Sequence, residues 1–300
     1  MGKKSLIVLF LVFVFCFTGF VRPFFAEAQR GQSSTDMNTL MGDISGAFSQ
    51  MDSAFKSAQS DMTPEDDYYL GRAVAAEIIK TYKLYTANPA LTAYLNRICL
   101  AIVLNSPKPT LFSGYCVAIL DTDEIAAFAS PGGHIFISRG LLGCAQSEDA
   151  IAAVIAHEVA HIQHRHVAAI LATERTVQDL TDASNRAANI ASRNLTMQER
   201  STIFKTSLSA SINALFRNGY SREQEFEADK TAVRLLIGAG YDPAALIDIL
   251  GILQRRTQPG NMNSTHPSPS MRISNLGTVR GSGRDTLSAR KPRFDLAIKR

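Results

Sequence analysis

Three hundred residues, 46% of them hydrophobic and 19% charged, are enough to bury one substantial core. The net charge of +4 sits at the ends. Residues 281–300 carry Arg284, Arg290, Lys291, Arg293, Lys299 and Arg300 against Asp285 and Asp295, and residues 1–28 carry Lys3, Lys4 and Arg22 against Glu27. The body between them is slightly acidic, which excludes a basic nucleic-acid-binding surface.

Residues 1–28 read as a signal peptide. Lys3-Lys4 form a positive start, an apolar run spans Leu6 to Val21, and Ala26-Glu27-Ala28 offers a small-x-small cleavage site before Gln29. The alternative is an uncleaved anchor over residues 5–21, for which the run is short. Export, most simply to a bacterial periplasm, follows. The exported chain keeps Cys99, Cys116 and Cys144, all among apolar residues and expected as buried reduced thiols.

Residues 29–62 form an N-terminal amphipathic arm. Met37, Met41, Ile44, Phe48, Met51 and Phe55 recur at helical spacing. Such a stripe suits a helix laid on the main domain, or an arm that contacts the membrane surface or an envelope protein. Thr63-Pro64 starts a helix expected to run to about Ala87, and a second covers roughly residues 90–104. Tyr115 to Leu120 reads as a strand. Pro131-Gly132-Gly133 forces a tight turn into an alternating strand, His134, Ile135, Phe136, Ile137 and Ser138, with Ile135 and Ile137 facing inward. That strand could be an edge that pairs with an extended peptide, or an ordinary hairpin arm.

The chemistry concentrates in Ala156-His157-Glu158-Val159-Ala160-His161, which follows the apolar run Ala150–Ile155. Imidazoles at i and i+4 share a helix face and reach one metal ion, whereas Glu158 is rotated by about 100° and is placed to touch a metal-bound water instead. A zinc ion brings that water's pKa toward ~7 and the carboxylate takes its proton. Buried histidines also need partners, which favours metal over a solvated helix face. A third protein ligand is needed. His164 lies too far along the axis, and His166 falls on the opposite face of a continued helix. Glu225 and Asp229, four apart on the helix that opens at Ser221, are suggestive: Glu225 as ligand, and Asp229 orienting a histidine. Residues 170–218 are helical and polar, and residues 257–265 are a loop before His266-Pro267.

These blocks, in this order, resemble the HtpX-like branch of the CAAX-prenyl-endopeptidase family, zinc metallopeptidases with glutamate as third ligand (gluzincins). The match runs through Phe128-Ala129 with Pro131-Gly132-Gly133, Gly140-Leu141-Leu142, the His157 motif with Arg165-His166, Ser221-Arg222 with Glu225-Phe226 and Ala228-Asp229. It continues through Gly240-Tyr241-Asp242-Pro243 and Thr265-His266-Pro267 with Arg272-Ile273, over about residues 63–276. The resemblance implies one zinc per chain on His157, His161 and Glu225, Glu158 as general base, Asp229 behind a ligand, and the His134–Ser138 strand as substrate-binding edge. Two roles remain open for the segment with His266 and Arg272. Either residue could donate to the oxyanion, or His266 could occupy zinc's open position and hold the enzyme shut. Ala126 replaces the asparagine frequent in relatives. The family's multi-span membrane portion and C-terminal helical repeats are missing, so the chain resembles a short, exported, soluble branch.

The expectation is therefore an α+β, mostly helical zincin-like domain at residues 63–280, with a small sheet over the metal helix and a basic tail at 281–300. Its function would be zinc-dependent endopeptidase hydrolysis of protein or peptide substrates, plausibly in envelope protein quality control. The alternative is a non-catalytic zinc-binding chaperone or interaction module on the same fold.

Overall fold

A computed structural model describes residues 63–170, 219–256, 266–281 and 286–298. The expected signal peptide or anchor, the amphipathic arm, the polar stretch after residue 170 and the 257–265 loop lie outside the described residues. All described residues belong to one compact unit. No described helix is long and apolar enough to cross a membrane.

Helix α1 (Pro64–Thr81) starts at a capping box, in which the Thr63 side chain accepts from the Asp66 amide and the Asp66 carboxylate accepts from the Thr63 amide. It stops six residues before the expected end. Tyr82 turns extended, and the following backbone pairs with the sheet: the Tyr85 amide donates to Ile119 O at 2.8 Å, and the Asp121 amide to Lys83 O at 2.8 Å. Strand pairing of residues 83–85 outcompetes helix propagation there. Asn88 then caps α2 (Pro89–Leu104).

Strands β1 (Cys116–Leu120), β2 (Ala127–Ser130) and β3 (His134–Ser138) form a mixed sheet in the order β1-β3-β2. β3 is parallel to β1 and antiparallel to β2. This corrects the expectation for His134, Ile135, Phe136, Ile137 and Ser138. β3 is the central strand and has no free edge to offer a peptide, because both its sides are already hydrogen-bonded. Its alternation separates two apolar faces rather than an inside from an outside. Ile135 and Ile137 enter the main core, while Phe136 joins Val74, Ile78, Leu120 and Phe128 in a second core under α1. Gly132 and Gly133 adopt positive φ in the turn between β2 and β3. At that turn α1 approaches so closely that a Cβ on Gly71 would stand 1.7 Å from Pro131 O.

After a short helix α3 (Arg139–Leu142), Ser147 caps α4 (Glu148–Gln163), which is buried along its whole length except at Val154. Around it lie α2, β2, α5 (Arg222–Gly238), α6 (Ala245–Arg256) and α8 (Thr286–Ile298), with α7 (Pro269–Leu276) against α5 and α6. Within the expected basic tail, residues 286–298 form a docked helix instead. α8 docks on the start of α4, where Phe294 is buried, Arg290 pairs with Asp149, and Arg293 forks onto Glu148. Glu148 also accepts from Tyr94 Oη at 2.9 Å and Tyr241 Oη at 3.1 Å. The three thiols are unpaired, and Cys116, expected buried, is exposed on β1 whereas Cys99 and Cys144 are buried.

Burial pushes the Glu148 carboxyl up, but Arg293 and the two tyrosine hydroxyls outweigh it and hold it below its ordinary range. A depressed folded pKa gives stability that is present above the unfolded value of ~4.3 and lost as pH falls through the folded one. Glu148→Gln should therefore cost about 1–3 kcal/mol at neutral pH, the worth of hydrogen bonds to a charged group. Its deficit should shrink as pH drops below about 4. Denaturant unfolding of both proteins across pH 3–7 checks this, and a deficit constant with pH would show that the carboxylate charge is not involved.

Candidate metal centre

α4 and α5 lie side by side, and their facing residues meet at one buried cluster. His157 and His161, one turn apart on α4, bring their Nε2 atoms to 3.0 Å of each other. From the first turn of α5, whose start is fixed by Ser221 and Gln224 in a capping box, Glu225 places Oε2 3.5 Å from His157 Nε2 and Oε1 3.2 Å from His161 Nε2. His266, just ahead of α7, completes the set, with Nδ1 2.6 Å from Glu225 Oε1 and 3.5 Å from His157 Nε2. Ligand atoms of these four residues all lie within 4.8 Å of one another.

The donor set fits a transition metal. Donors on a tetrahedral ion with bonds of about 2.0–2.2 Å stand roughly 3.3 Å apart, close to the 3.0, 3.2 and 3.5 Å separations above. Glu225 Oε2 and Glu158 Oε2 are buried without a hydrogen-bond partner among the described residues. Two imidazoles and a carboxylate are also the chemistry zinc prefers.

Glu158 follows His157 on α4 yet points elsewhere around the helix, as expected; its Oε1 is 3.9 Å from His266 Nε2. Burial raises its carboxyl above the ordinary range, against the pull of His266 and His157. Burial also acts on Glu225, but His266, Arg272 and His157 outweigh it and keep that carboxylate ionised. Asp229, one turn beyond Glu225, sits 3.0 Å from His157 Nδ1, where it fixes the tautomer that leaves Nε2 free. Its own ionisation is secured by Arg272, despite burial.

Arg272 enters the cluster from α7. Its Nε donates to Asp229 Oδ2 at 2.9 Å and its Nη2 to Asp229 Oδ1, while Nη1 stands 3.3 Å from Glu225 Oε2. Only 5% exposed, the guanidinium grips Asp229 through two nitrogens and lies against Glu225 and His157, so it braces the cluster. His134–Ser138 does not join the cluster. His134 stacks on Tyr68, with ring centroids 5.7 Å apart.

Two contacts escaped the sequence. Tyr220 stacks on His161 with ring centroids 3.8 Å apart and lies 5.3 Å from the His266 ring. Burial, then the charges of Glu158 and Glu225, keep it a phenol. The signal was its place directly before the Ser221 cap, where an aromatic residue commonly packs back on its surroundings. His166, assigned to the far face, instead turns back so that its Nδ1 lies 2.9 Å from His161 Nδ1. α4 ends at Gln163 and Arg165 takes φ 58°, so a helical wheel cannot be extended past that point. A cavity of about 420 Å³ runs from Ser130 and Pro131 at the end of β2 past Lys108, Leu111 and Arg165 to His161.

Residues 88–280 match the family model described as Peptidase family M48. The chain is similar to the "Beta-barrel assembly-enhancing protease" of Yersinia pestis, at 27% identity over 192 residues covering 62% of this chain and 38% of that protein. It is similar also to the protein of the same name from Escherichia coli (strain K12), at 26% over 190 residues, 62% and 38%. A third relative is the "Mitochondrial metalloendopeptidase OMA1" of Schizosaccharomyces pombe, at 30% over 188 residues, 61% and 51%. The chain thus spans about two fifths of the length of the first of these relatives.

Proposed function

The chain belongs to peptidase family M48, and on that premise we propose that it is a zinc-dependent endopeptidase hydrolysing peptide bonds of protein substrates. The observation that carries the reading is the convergence of His157, His161 and Glu225 beside a buried, unpartnered Glu158 oxygen. One zinc ion would be held by those three residues, with Asp229 orienting His157. When bound, the ion supplies Lewis acidity to water and to the scissile carbonyl. The side chains do the rest. Glu158, its proton affinity raised by burial, takes the proton of the attacking water and returns it to the leaving amine. Tyr220 walls the site over His161 and helps exclude solvent. Among the described strands β2 ends the sheet on the side that packs on α4, so the substrate would lie along that side of the sheet. A module that only binds has no use for Glu158, and no contact in the cluster favours that alternative.

Glu158→Gln should keep one zinc per chain and lose casein cleavage. Glu225→Ala should lose the zinc itself, and Asp229→Ala should weaken its binding by roughly 10- to 100-fold. Elemental analysis of the purified variants decides the assignment, since full occupancy in Glu225→Ala would remove that residue from the site.

His266 lies within reach of both the ligands and Glu158, which supports the plug reading over the donor reading. His266→Ala should be at least as active as the parent and more prone to self-cleavage, followed by gel and peptide assay. A loss of about 10²- to 10³-fold in kcat with zinc retained would assign it to the transition state instead.

The relatives' names, a beta-barrel assembly-enhancing protease and a metalloendopeptidase, support protein substrates, among them proteins of β-barrel assembly. Residues 1–28 support export, to a bacterial periplasm. The mass of the exported protein should correspond to a chain beginning at Gln29, whereas retention of residues 1–28 would favour an anchor.

A further inference from the structure

His164, His166 and Glu227 make a second convergence, on the far side of His161 from the first. His166 Nε2 is 3.1 Å from Glu227 Oε2 and His164 Nδ1 is 3.4 Å from Glu227 Oε1. The three ligand atoms lie within 4.8 Å of one another. Each of the two separations, which run to different oxygens of Glu227, is close to the roughly 3.3 Å between donors on a tetrahedral zinc. His164 is held from behind, its Nε2 2.8 Å from Thr231 Oγ1, which in turn accepts from Arg234. An outer hydrogen bond that fixes the ring and leaves the other nitrogen for a cation is the usual support of a histidine ligand. The Glu227 side chain is 55% exposed, so an ion has a route in from solvent.

We propose that His164, His166 and Glu227 form a second transition-metal site, of the zinc class, whose occupancy opposes that of the first. The site itself stands on its own donors, and the opposition rests on the zinc reading of the first cluster. It follows from counting protons. The Nδ1 atoms of His161 and His166 face each other at 2.9 Å, a separation that calls for one hydrogen between the two ring nitrogens. Each neutral imidazole has one N–H and one lone pair. If His161 donates, its Nε2 keeps a lone pair for the first ion, and His166 must carry its proton on Nε2, where it points at Glu227. If His166 donates, its Nε2 is free for the second ion, and His161 is protonated on the nitrogen that faces Glu225. With that hydrogen bond intact, one of the two sites is open and the other is closed. Filling both requires breaking the bond or removing a further proton. The first ion therefore uses His166 and Glu227 as a relay that locks His161, and excess metal competes for the same pair.

The test is zinc binding to the chelator-stripped full-length protein at buffered free zinc, with bound ions counted by elemental analysis. The parent should show one tight step and a second at higher free zinc. His164→Ala touches only the second site and should lose the second step while keeping the first; Glu227→Ala, at an exposed position, should also lose the second step. In Glu225→Ala, where the first site is broken, the second site should bind more tightly than in the parent, by roughly 5- to 150-fold, a typical coupling between sites. Identical titrations of the parent and His164→Ala would overturn the site. A second step of equal affinity in the parent and Glu225→Ala would overturn the opposition. A parent that shows only the step abolished by His164→Ala would uphold the second site while removing the first, and with it the zinc reading of function.

Discussion

Three carboxylates, Glu158, Glu225 and Asp229, and one guanidinium, Arg272, are buried together in the interior, and the rest of the cluster depends on how those charges are balanced. Taking ions out of water costs several kcal/mol each unless partners replace the solvent. Arg272 satisfies Asp229 through two nitrogens and reaches Glu225 with a third. With the imidazoles in the neutral form that a metal ligand must have, the remainder is a net charge of about −2, which a divalent cation cancels. The other buried acidic pair, Glu148 and Asp149, shows the contrast. There two arginines of α8 meet two carboxylates, the sum is zero, and no ion is called for. Each end of α4 is thus built on buried acids, but only one end leaves a charge for a metal to neutralise.

This arrangement makes α4 a rigid strut. Its first turn is clamped by α8, by Tyr94 of α2 and by Tyr241 beyond α5, and its last turns carry the two histidines. A site whose ligands project from two packed helices holds its geometry better than one built on loops. Metal affinity and fold stability are then linked, since binding free energy at such a site acts on folding.

How much of this was legible in the residues depends on how local each relation is. The pairing of His157 with His161 and of Glu225 with Asp229 needs only helical periodicity, and the structure brings His157, His161 and Glu225 together with Asp229 behind His157. The sheet order did not follow from pattern, because β3 alternates between two apolar faces and so reads like a half-exposed strand. The end of α1 was hidden because residues 83–85 are helix-compatible and become extended only by pairing with β1. The basic residues of α8 looked like a solvated tail because their buried acceptors, Glu148 and Asp149, lie some 140 positions earlier in the chain. His166 was misplaced by a single backbone turn at Arg165.

The segment that delivers His266 also delivers Arg272, and the two are bound to α5 very differently. Arg272 lies inside α7, 5% exposed, with its donors locked onto Asp229 and Glu225. His266 precedes that helix, separated from its first residue only by Pro267 and Ser268, and meets Glu225, His157 and the rings of His161 and Tyr220. A substrate that displaces His266 would therefore not have to disturb Arg272: the bend can be absorbed ahead of Pro269, where the backbone is not yet helical. With one end of a short segment anchored by a buried charge pair and the other outside any helix, His266 could leave while Arg272 stays in place, which is what the plug reading needs.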